Sequence, residues 1–173
     1  MLTTERLSIR LIEEKDWVDI KEIWDDFNKS DLVIYDNFKD TDPDKLKPRI
    51  AKWAEVSREG RDHMFFAVCE KEEMIGFFSF NAHEKGYDTG YGFKASCQKK
   101  GYARESFLGL IDYMKSLKVS VLYAGTALNN KSSVSLLNSV GFKLVGTEEV
   151  SFFKDENGKD IIFEGGNFEL NLA

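Results

Sequence analysis

The stretch SCQKKGYARES, Ser96–Ser106, stands between a strand-like segment and a helix-like one. The preceding residues YDTGYGFKA, 87–95, alternate aromatic with small or polar side chains and predict a strand. Residues 101–117 predict a helix, because their apolar side chains recur on one face: Ala103, Phe107, Leu110, Ile111, Met114 and Leu117. A tight, glycine-containing turn therefore joins the end of a strand to the start of a helix.

Such a turn is suited to binding an anion. The first N–H groups of a helix have no partner within it, and together they carry about half a positive charge. Gly101 lacks the Cβ that would hold an anion away from the backbone, while Gln98, Lys99 and Lys100 add donors or charge. The turn is thus predicted to bind a phosphate or pyrophosphate group. On these residues alone, an ordinary turn with two solvated lysines fits equally well.

Several classes of function are disfavoured by composition and motif. The chain contains neither Gly-x-x-x-x-Gly-Lys-Ser/Thr nor Gly-x-Gly-x-x-Gly, which disfavours a P-loop and a dinucleotide site. Its net charge of −6 argues against non-specific nucleic-acid binding. No apolar run approaches the ~20 residues of a membrane span, and MLTTERLSIR lacks the apolar core of a signal peptide. We expect a cytoplasmic protein with no metal, nucleic-acid or membrane partner.

The rest of the chain predicts a mixed α/β sheet in a single domain, residues 1–173. Hydrophobic residues make up 42% of the chain, enough for a sizeable core. An Asn-Gly pair at 157–158 marks a hairpin turn. Alternating and helical periodicities predict strands at 6–12, 63–70, 73–82, 119–125, 142–153 and 161–170, and helices at 14–28, around 50–56 and at 130–140.

Four segments, in order, resemble one family. QKKGYA, 98–103, resembles the Q/R-x-x-G-x-G/A loop of the GNAT family of N-acetyltransferases. LTTERLSIRLIEEKDW, 2–17, DTGYGF, 88–93, and NKSSVSLLNSVGF, 130–142, resemble its RimJ/RimL-like subgroup. The resemblance runs from Leu2 to about Leu170 and implies the GNAT fold: a central, mostly antiparallel sheet, splayed at the cofactor site, with helices on both faces. It also implies acetyl-CoA as co-substrate, no metal, and suggests a homodimer.

The resemblance assigns the cofactor-binding residues. Backbone amides of the loop would bind the pyrophosphate, the end of the preceding strand would pair with the pantetheine arm, and Asn130 and Ser133 would lie near the acetyl group and the thiol. The implied set is Phe93, Lys94, Ala95, Gln98, Lys99, Lys100, Gly101, Tyr102, Ala103, Arg104, Asn130 and Ser133. Asn130 has a second interpretation, because Asn is also a good helix cap.

Two residues are candidates for catalysis. Asp88 matches an acidic position of the subgroup and could take the proton of the amine, directly or through water, although it could equally be a solvated residue at a strand end. Ser133 is a candidate because the resemblance places it near the thiol. Many relatives have a Tyr seven residues after the Asn, which protonates the leaving thiolate, but Leu137 stands at that position. The general acid is therefore left open.

The acceptor is expected to be a primary amine, with a protein or peptide N-terminus as the first hypothesis. An α-amino group has a pKa near ~7.7–8.0 and is partly neutral at neutral pH, whereas a lysine amine at ~10.4 needs more help. Acceptor contacts are expected from residues 28–42, the helix that follows and the C-terminal hairpin, where Asp31, Asp36, Asp40 and Asp42 could attract a cation. A small-molecule amine, and an inactive acyl-CoA- or peptide-binding module, remain as alternatives.

Overall fold

The computed structural model describes residues 1–173 and contains one eight-stranded sheet in the order β1-β2-β3-β4-β5-β6-β8-β7. The strands are β1 (Leu2–Thr3), β2 (Leu7–Leu11), β3 (His63–Glu70), β4 (Glu73–His83), β5 (Gly86–Phe93), β6 (Val121–Ala127), β7 (Lys143–Val150) and β8 (Phe163–Asn171). The α-helices are α1 (Trp17–Asn28), α2 (Pro43–Glu59), α3 (Tyr102–Ser116) and α4 (Lys131–Ser139). Short 3-10 helices cover Glu14–Asp16, Asp31–Tyr35 and Ala95–Cys97. The predicted order of the main elements is confirmed; β1 and the 3-10 helices were not predicted.

The sheet is antiparallel except where β5 meets β6. These two parallel strands pair only at Tyr87 with Leu122 and at Asp88 with Tyr123. Beyond that point β5 continues to Phe93 and β6 to Ala127 without pairing to each other. The sheet therefore opens into a cleft between residues 89–93 of β5 and 124–127 of β6, which we call the β5–β6 cleft.

The sheet is covered by helices on both faces, so its central strands are apolar on both sides. One buried cluster includes Phe66, Phe78 and Phe107 and lies with α3 and α4. The other includes Ile20 and Phe65 and lies with α1 and α2. Because successive strand residues point to opposite faces, neighbouring residues of HMFFAVCE divide between the two clusters. This explains why the segment reads as a continuous apolar run rather than an alternating one.

The helix starts follow local chemistry. Pro43 occupies the first turn of α2, where its missing N–H costs nothing, and the Asp42 carboxylate accepts a hydrogen bond from the Asp44 amide at 3.0 Å. Asn130 caps α4, and Gly101 precedes α3 with φ +81° and ψ −1°. No helix combines the length and the apolarity needed to cross a bilayer.

Candidate active site

The loop before α3 leaves a row of backbone donors free. Lys99 and Gly101 both have positive φ, at 61° and 81°, which turns the chain sharply into the helix. The N–H groups of six consecutive residues, Lys99 to Arg104, donate to no backbone or side-chain acceptor of the chain. Such a concave run of amides at a helix start is an anion-binding arrangement. The loop therefore has the geometry of an anion-binding turn, and contact of Lys100, Tyr102 and Ala103 with a pyrophosphate stays a prediction.

Arg6, which sequence reasoning missed, holds this loop in place. Its guanidinium donates to the carbonyl of Lys100 at 3.0 Å and to the Glu105 carboxylate at 2.7 Å. The guanidinium carbon lies 4.6 Å from the centre of the Tyr102 ring. The hydrogen bond to Glu105 raises the pKa of Arg6, so the group stays charged beside the free amides. A contact between residues so far apart in sequence gives no local signal.

The end of β5 is held differently from the prediction. The Lys94 amide donates to the Ile75 carbonyl at 2.9 Å, and the Ala95 amide donates to the Asp26 carboxylate at 2.9 Å. In an antiparallel ladder the hydrogen-bonding direction alternates, so the backbone of Phe93 faces away from β4 and into the β5–β6 cleft. The strand ends at Phe93, and the backbone N–H groups of Lys94 and Ala95 are already satisfied within the protein.

The Lys94 side chain also points away from the cleft. Its ammonium lies 2.9 Å from carboxylate oxygens of Asp19 and Glu22 and 3.3 Å from Glu73, and only 5% of the side chain is exposed. These carboxylates raise the pKa of Lys94, against the opposing effect of its burial. Lys94 and Ala95 therefore anchor β5 to α1 through these groups, and their contact with the pantetheine arm stays a prediction.

Gln98 lies at the mouth of the cleft. Its side-chain amide donates to the Phe93 carbonyl at 3.2 Å, across the turn that joins β5 to the loop. The contact confirms that the Phe93 carbonyl faces the open side of β5. Gln98 thus supports the shape of the turn from within, in addition to any contact with a ligand.

Asn130 and Ser133 occupy the first turn of α4, on the β6 side of the cleft. The Asn130 side-chain oxygen accepts from the Ser133 amide at 3.2 Å and from the Ser132 hydroxyl at 3.0 Å. Asn130 is therefore a helix cap, as its second interpretation had it, and its side-chain NH₂ group remains free to donate to a ligand. The Ser133 hydroxyl lies 2.7 Å from the hydroxyl of Tyr91 on β5, a contact the sequence did not indicate.

Asp88 lies in an open groove on the face of the sheet that carries α1 and α2. We call this cavity of about 290 Å³ the acceptor groove; it is lined by His83, Glu84, Asp88, Tyr123, Ala124, Gly125, Val145, Asn167, Phe168 and Glu169. The Asp88 side chain is 56% exposed, and its carboxylate oxygen lies 3.6 Å from His83 Nδ1, beyond hydrogen-bond distance. Burial, and after it the carboxylates of Glu84, Glu169 and Asp88, raise the pKa of Tyr123, and these three carboxylates make the groove acidic.

The segment between α1 and α2 borders this side of the molecule through Tyr35. The Tyr35 ring packs edge-on against Phe163 with centroids 5.3 Å apart, and its hydroxyl accepts from the Asn129 side chain at 3.3 Å. Its predicted acidic residues are partly neutralised, since Asp36 pairs with Lys39 and Asp40 with Lys45, both at 2.8 Å. No three His, Cys, Asp or Glu side chains of the protein are grouped closely enough to bind a metal ion.

Comparison with known proteins agrees with this geometry. Residues 6–143 match the family model of the acetyltransferase (GNAT) domain. The chain belongs to the GNAT acetyltransferase family. It is 28% identical over 158 residues to the uncharacterized N-acetyltransferase YnaD of Bacillus subtilis (strain 168), over 88% of this chain and 85% of YnaD. As a GNAT protein it is an acetyl-CoA-dependent N-acetyltransferase, as predicted.

Two solved structures show the same fold. An acetyl transferase of Salmonella typhimurium that modifies the N-terminal serine of 50S ribosomal subunit protein L7/L12 matches with a TM-score of 0.81 and 16% identity, over 98% of this chain and 97% of that chain. The yncA protein of Salmonella typhimurium, solved with its cofactor acetyl-CoA, matches with a TM-score of 0.73 and 21% identity, over 98% of this chain and 95% of that chain. The predicted fold class is confirmed.

Proposed function

We propose that this GNAT protein acetylates the N-terminal α-amine of a protein or peptide, with acetyl-CoA bound in the β5–β6 cleft. The observation that carries the cofactor half of the proposal is the row of free amides from Lys99 to Arg104 at the mouth of the cleft. Lys99, Lys100 and Arg6 place positive charge beside it, in a chain whose net charge is −6. Pyrophosphate fits this combination of converging N–H donors and cations.

The pantetheine arm has one available edge. The backbone groups of Tyr91 and Phe93 alternate with those bonded to β4 and face the cleft, where β6 no longer pairs with them. An extended arm pairing with this edge would run from the Lys99–Arg104 loop toward the point where β5 and β6 separate, after Asp88 and Tyr123. On the β6 side of the cleft this arm would pass Ser133, whose hydroxyl lies 2.7 Å from that of Tyr91, and the free side-chain NH₂ group of Asn130.

The acceptor groove supports a cationic amine as substrate. Glu84, Asp88 and Glu169 lie together around Tyr123, and their negative potential attracts a protonated amine from solution. Gly125 contributes to the floor of the groove, and a Cβ at this position would meet no atom within 4 Å, which leaves room above β6. Asp88 is positioned at the start of the cleft to take the proton of the attacking amine, directly or through water.

An α-amine is the acceptor that this site can use with least assistance. With a pKa near ~7.7–8.0, a minority of it is already neutral near pH 7 and can attack once it is positioned. The Asp88 carboxylate beside the cleft is 56% exposed, and such a solvated base suits a partly neutral α-amine better than a lysine amine. The Salmonella typhimurium neighbour that acts on an N-terminal serine supports the same class of acceptor.

A peptide panel tests the proposal. The purified protein is incubated with acetyl-CoA and a lysine-free peptide with a free N-terminus, the same peptide with a blocked N-terminus and one lysine, and spermidine. Mass spectrometry then locates the acetyl group. We expect acetylation of the free α-amine, with a rate that rises toward pH ~8 and then levels as the amine becomes neutral.

The other outcomes have separate meanings. Acetylation of the lysine peptide alone would show that the acceptor is a side-chain amine rather than an α-amine. Acetylation of spermidine alone would show that it is a small-molecule amine. Tight calorimetric binding of acetyl-CoA with no transfer to any amine would show a binding module that lacks activity. Failure of the folded protein to bind acetyl-CoA would overturn the assignment of the Lys99–Arg104 loop as the cofactor site.

A further inference from the structure

One buried side-chain atom of the protein has no hydrogen-bond partner within it: the hydroxyl oxygen of Thr89. Only 9% of Thr89 is exposed. By contrast, the buried hydroxyls of Ser57 and Ser106 each donate to a carbonyl of their own helix at 2.7 Å. Because a buried hydroxyl without a partner destabilises the fold, the position of Thr89 calls for an explanation.

Thr89 lies at the narrow end of the β5–β6 cleft. It directly follows Asp88, whose pairing with Tyr123 is the last between the two strands. Extending that register by one residue sets Ala124, which is buried, opposite Thr89. On the other side the cross-strand neighbour of Thr89 is Phe80 of β4, which is also buried. Neither neighbour has a polar side chain, so a partner for the hydroxyl must come from a molecule that enters the cleft.

The free edge of β5 leads to this hydroxyl. Phe93, Tyr91 and Thr89 are the residues whose backbone groups alternate with those bonded to β4 and therefore face the cleft. At ~3.3 Å per residue, the edge from Phe93 to Thr89 is about 13 Å long. The pantetheine arm has two amide groups before its thioester. An arm whose amides pair at Phe93 and Tyr91 has its thioester at the next outward-facing residue, which is Thr89.

We propose that the Thr89 hydroxyl donates a hydrogen bond to the carbonyl oxygen of the acetyl thioester. This inference rests on the cofactor half of the proposed function. The carbonyl oxygen is the acceptor because a sulfur atom accepts hydrogen bonds only weakly. As the amine nitrogen bonds to the acetyl carbon, Thr89 keeps its proton and stabilises the negative charge that grows on this oxygen. The C–S bond then breaks with its electron pair on sulfur, the amine proton passes to Asp88 or water, and solvent protonates the thiolate.

The surroundings of Thr89 make it an effective donor. Its neighbours on both strands are apolar, and a hydrogen bond is electrostatically stronger in such surroundings than in water. No group of the protein competes for the hydroxyl, so no bond has to be broken before it can donate to a ligand. A threonine with a purely structural role would stabilise the unliganded protein through its hydroxyl, whereas this hydroxyl should contribute only when the acyl group is bound.

The test uses Thr89→Val, which replaces the hydroxyl by a methyl group of similar size. Calorimetry compares the affinities for acetyl-CoA and for CoA, which has no acyl carbonyl. We expect acetyl-CoA binding to weaken about tenfold, close to one hydrogen bond, with CoA affinity unchanged. The kcat for the peptide amine should fall by roughly 10²-fold, as for loss of one donor to a developing oxyanion. The melting temperature without ligand should rise by about 2–4 °C, because the unpartnered hydroxyl is gone.

Two further variants are controls. Thr89→Ser keeps a hydroxyl and should retain most of the acetyl-CoA affinity and of kcat. Thr147→Val makes the same chemical change at an exposed position of β7 and should leave both affinities and kcat unchanged.

Each contrary result has a defined meaning. Wild-type acetyl-CoA affinity and kcat in folded Thr89→Val would overturn the proposal. Equal losses of affinity for acetyl-CoA and for CoA would also overturn it, since the hydroxyl would then bond a water or shape the cleft. If Thr89→Val does not fold, equal affinities and rates for Thr89→Ser and Thr89→Ala would overturn it. A wild-type protein that binds acetyl-CoA but transfers to no amine would overturn the proposed function, and the comparison of affinities would still decide the role of Thr89.

Discussion

The proposed phosphate-binding loop, Lys99–Arg104, and the acceptor groove lie at opposite ends of the β5–β6 cleft and are built in opposite ways. The loop is one continuous segment whose free polar groups are backbone amides and which carries the basic side chains of Lys99, Lys100 and Arg104. The groove is assembled from β4, β5, β6, β7 and β8, and its polar groups are side chains, several of them acidic. Backbone recognition demands little of the sequence beyond a glycine, whereas side-chain recognition depends on which strands the fold brings together.

The largest effect is expected on the loop side. Gly101→Val should weaken acetyl-CoA binding by about 10³-fold, because a branched side chain shields at least two amides whose hydrogen bonds to a charged group contribute about 1.5–3 kcal/mol each. Gly101 has φ +81°, so the substitution should also cost about 1–2 kcal/mol of folding free energy. Calorimetric titration with acetyl-CoA and thermal melting measure the two quantities separately.

The control for this substitution is Gly158→Val in the β7–β8 hairpin. Gly158 has φ +78°, and a Cβ there would meet no atom within 4 Å, so the backbone strain is matched. The control should lose similar stability and bind acetyl-CoA normally. Equal affinities in the two folded variants would remove the loop from the cofactor site.

The next effect is expected at the border between the two regions. Asp88→Asn should lower kcat/KM for the peptide amine by roughly 10²-fold, the low end for general-base catalysis, because the carboxylate is exposed and can be replaced in part by water. The acidic limb of the pH–rate profile should change shape, while acetyl-CoA affinity stays constant. Asp112→Asn on the exposed side of α3 is the matched control. A pH–rate profile identical to that of the wild type would exclude Asp88 as the base.

A smaller effect is expected from the residue that supports the loop from outside. Arg6→Ala removes the contacts to Lys100 and Glu105, and acetyl-CoA binding should weaken about tenfold, close to one charge-assisted hydrogen bond. Arg6→Lys should recover only part of the loss, because an ammonium cannot reproduce the planar, multiple contacts of the guanidinium. Full recovery with Lys would show that charge alone matters and that the geometric clamp does not.

The smallest effect is expected in the acceptor groove. Glu169→Gln should raise KM for a basic peptide by about two- to fivefold at low salt, since exposed charges contribute up to about 1 kcal/mol. The difference should disappear at high ionic strength. Glu164→Gln, from the opposite face of β8, is the control and should have no effect. A salt-independent effect would mean that Glu169 contacts the amine directly.

The turns and helix ends of the site could be predicted from the sequence, because they depend on the backbone conformation of a few consecutive residues. The Gly101 turn, the start of α3, the Asn130 position and the order of elements follow from short-range periodicity and helix-end chemistry. The end of β5 was predicted two residues too far, at Ala95. There the tertiary contacts of Lys94 with α1 and of Ala95 with Asp26 overrode the strand-like pattern.

The sequence by itself determined the mixed sheet, the tight glycine turn before α3 and the family, because each is read from short segments whose residues lie within a few positions of one another. Only the tertiary structure decided that Lys94 faces α1, that Arg6 clamps a loop 94 residues away and that Tyr91 meets Ser133 42 residues later. The physical reason is that these are side-chain contacts between separate elements. Their partners are set by strand order and by the separation of β5 from β6, which no local pattern records.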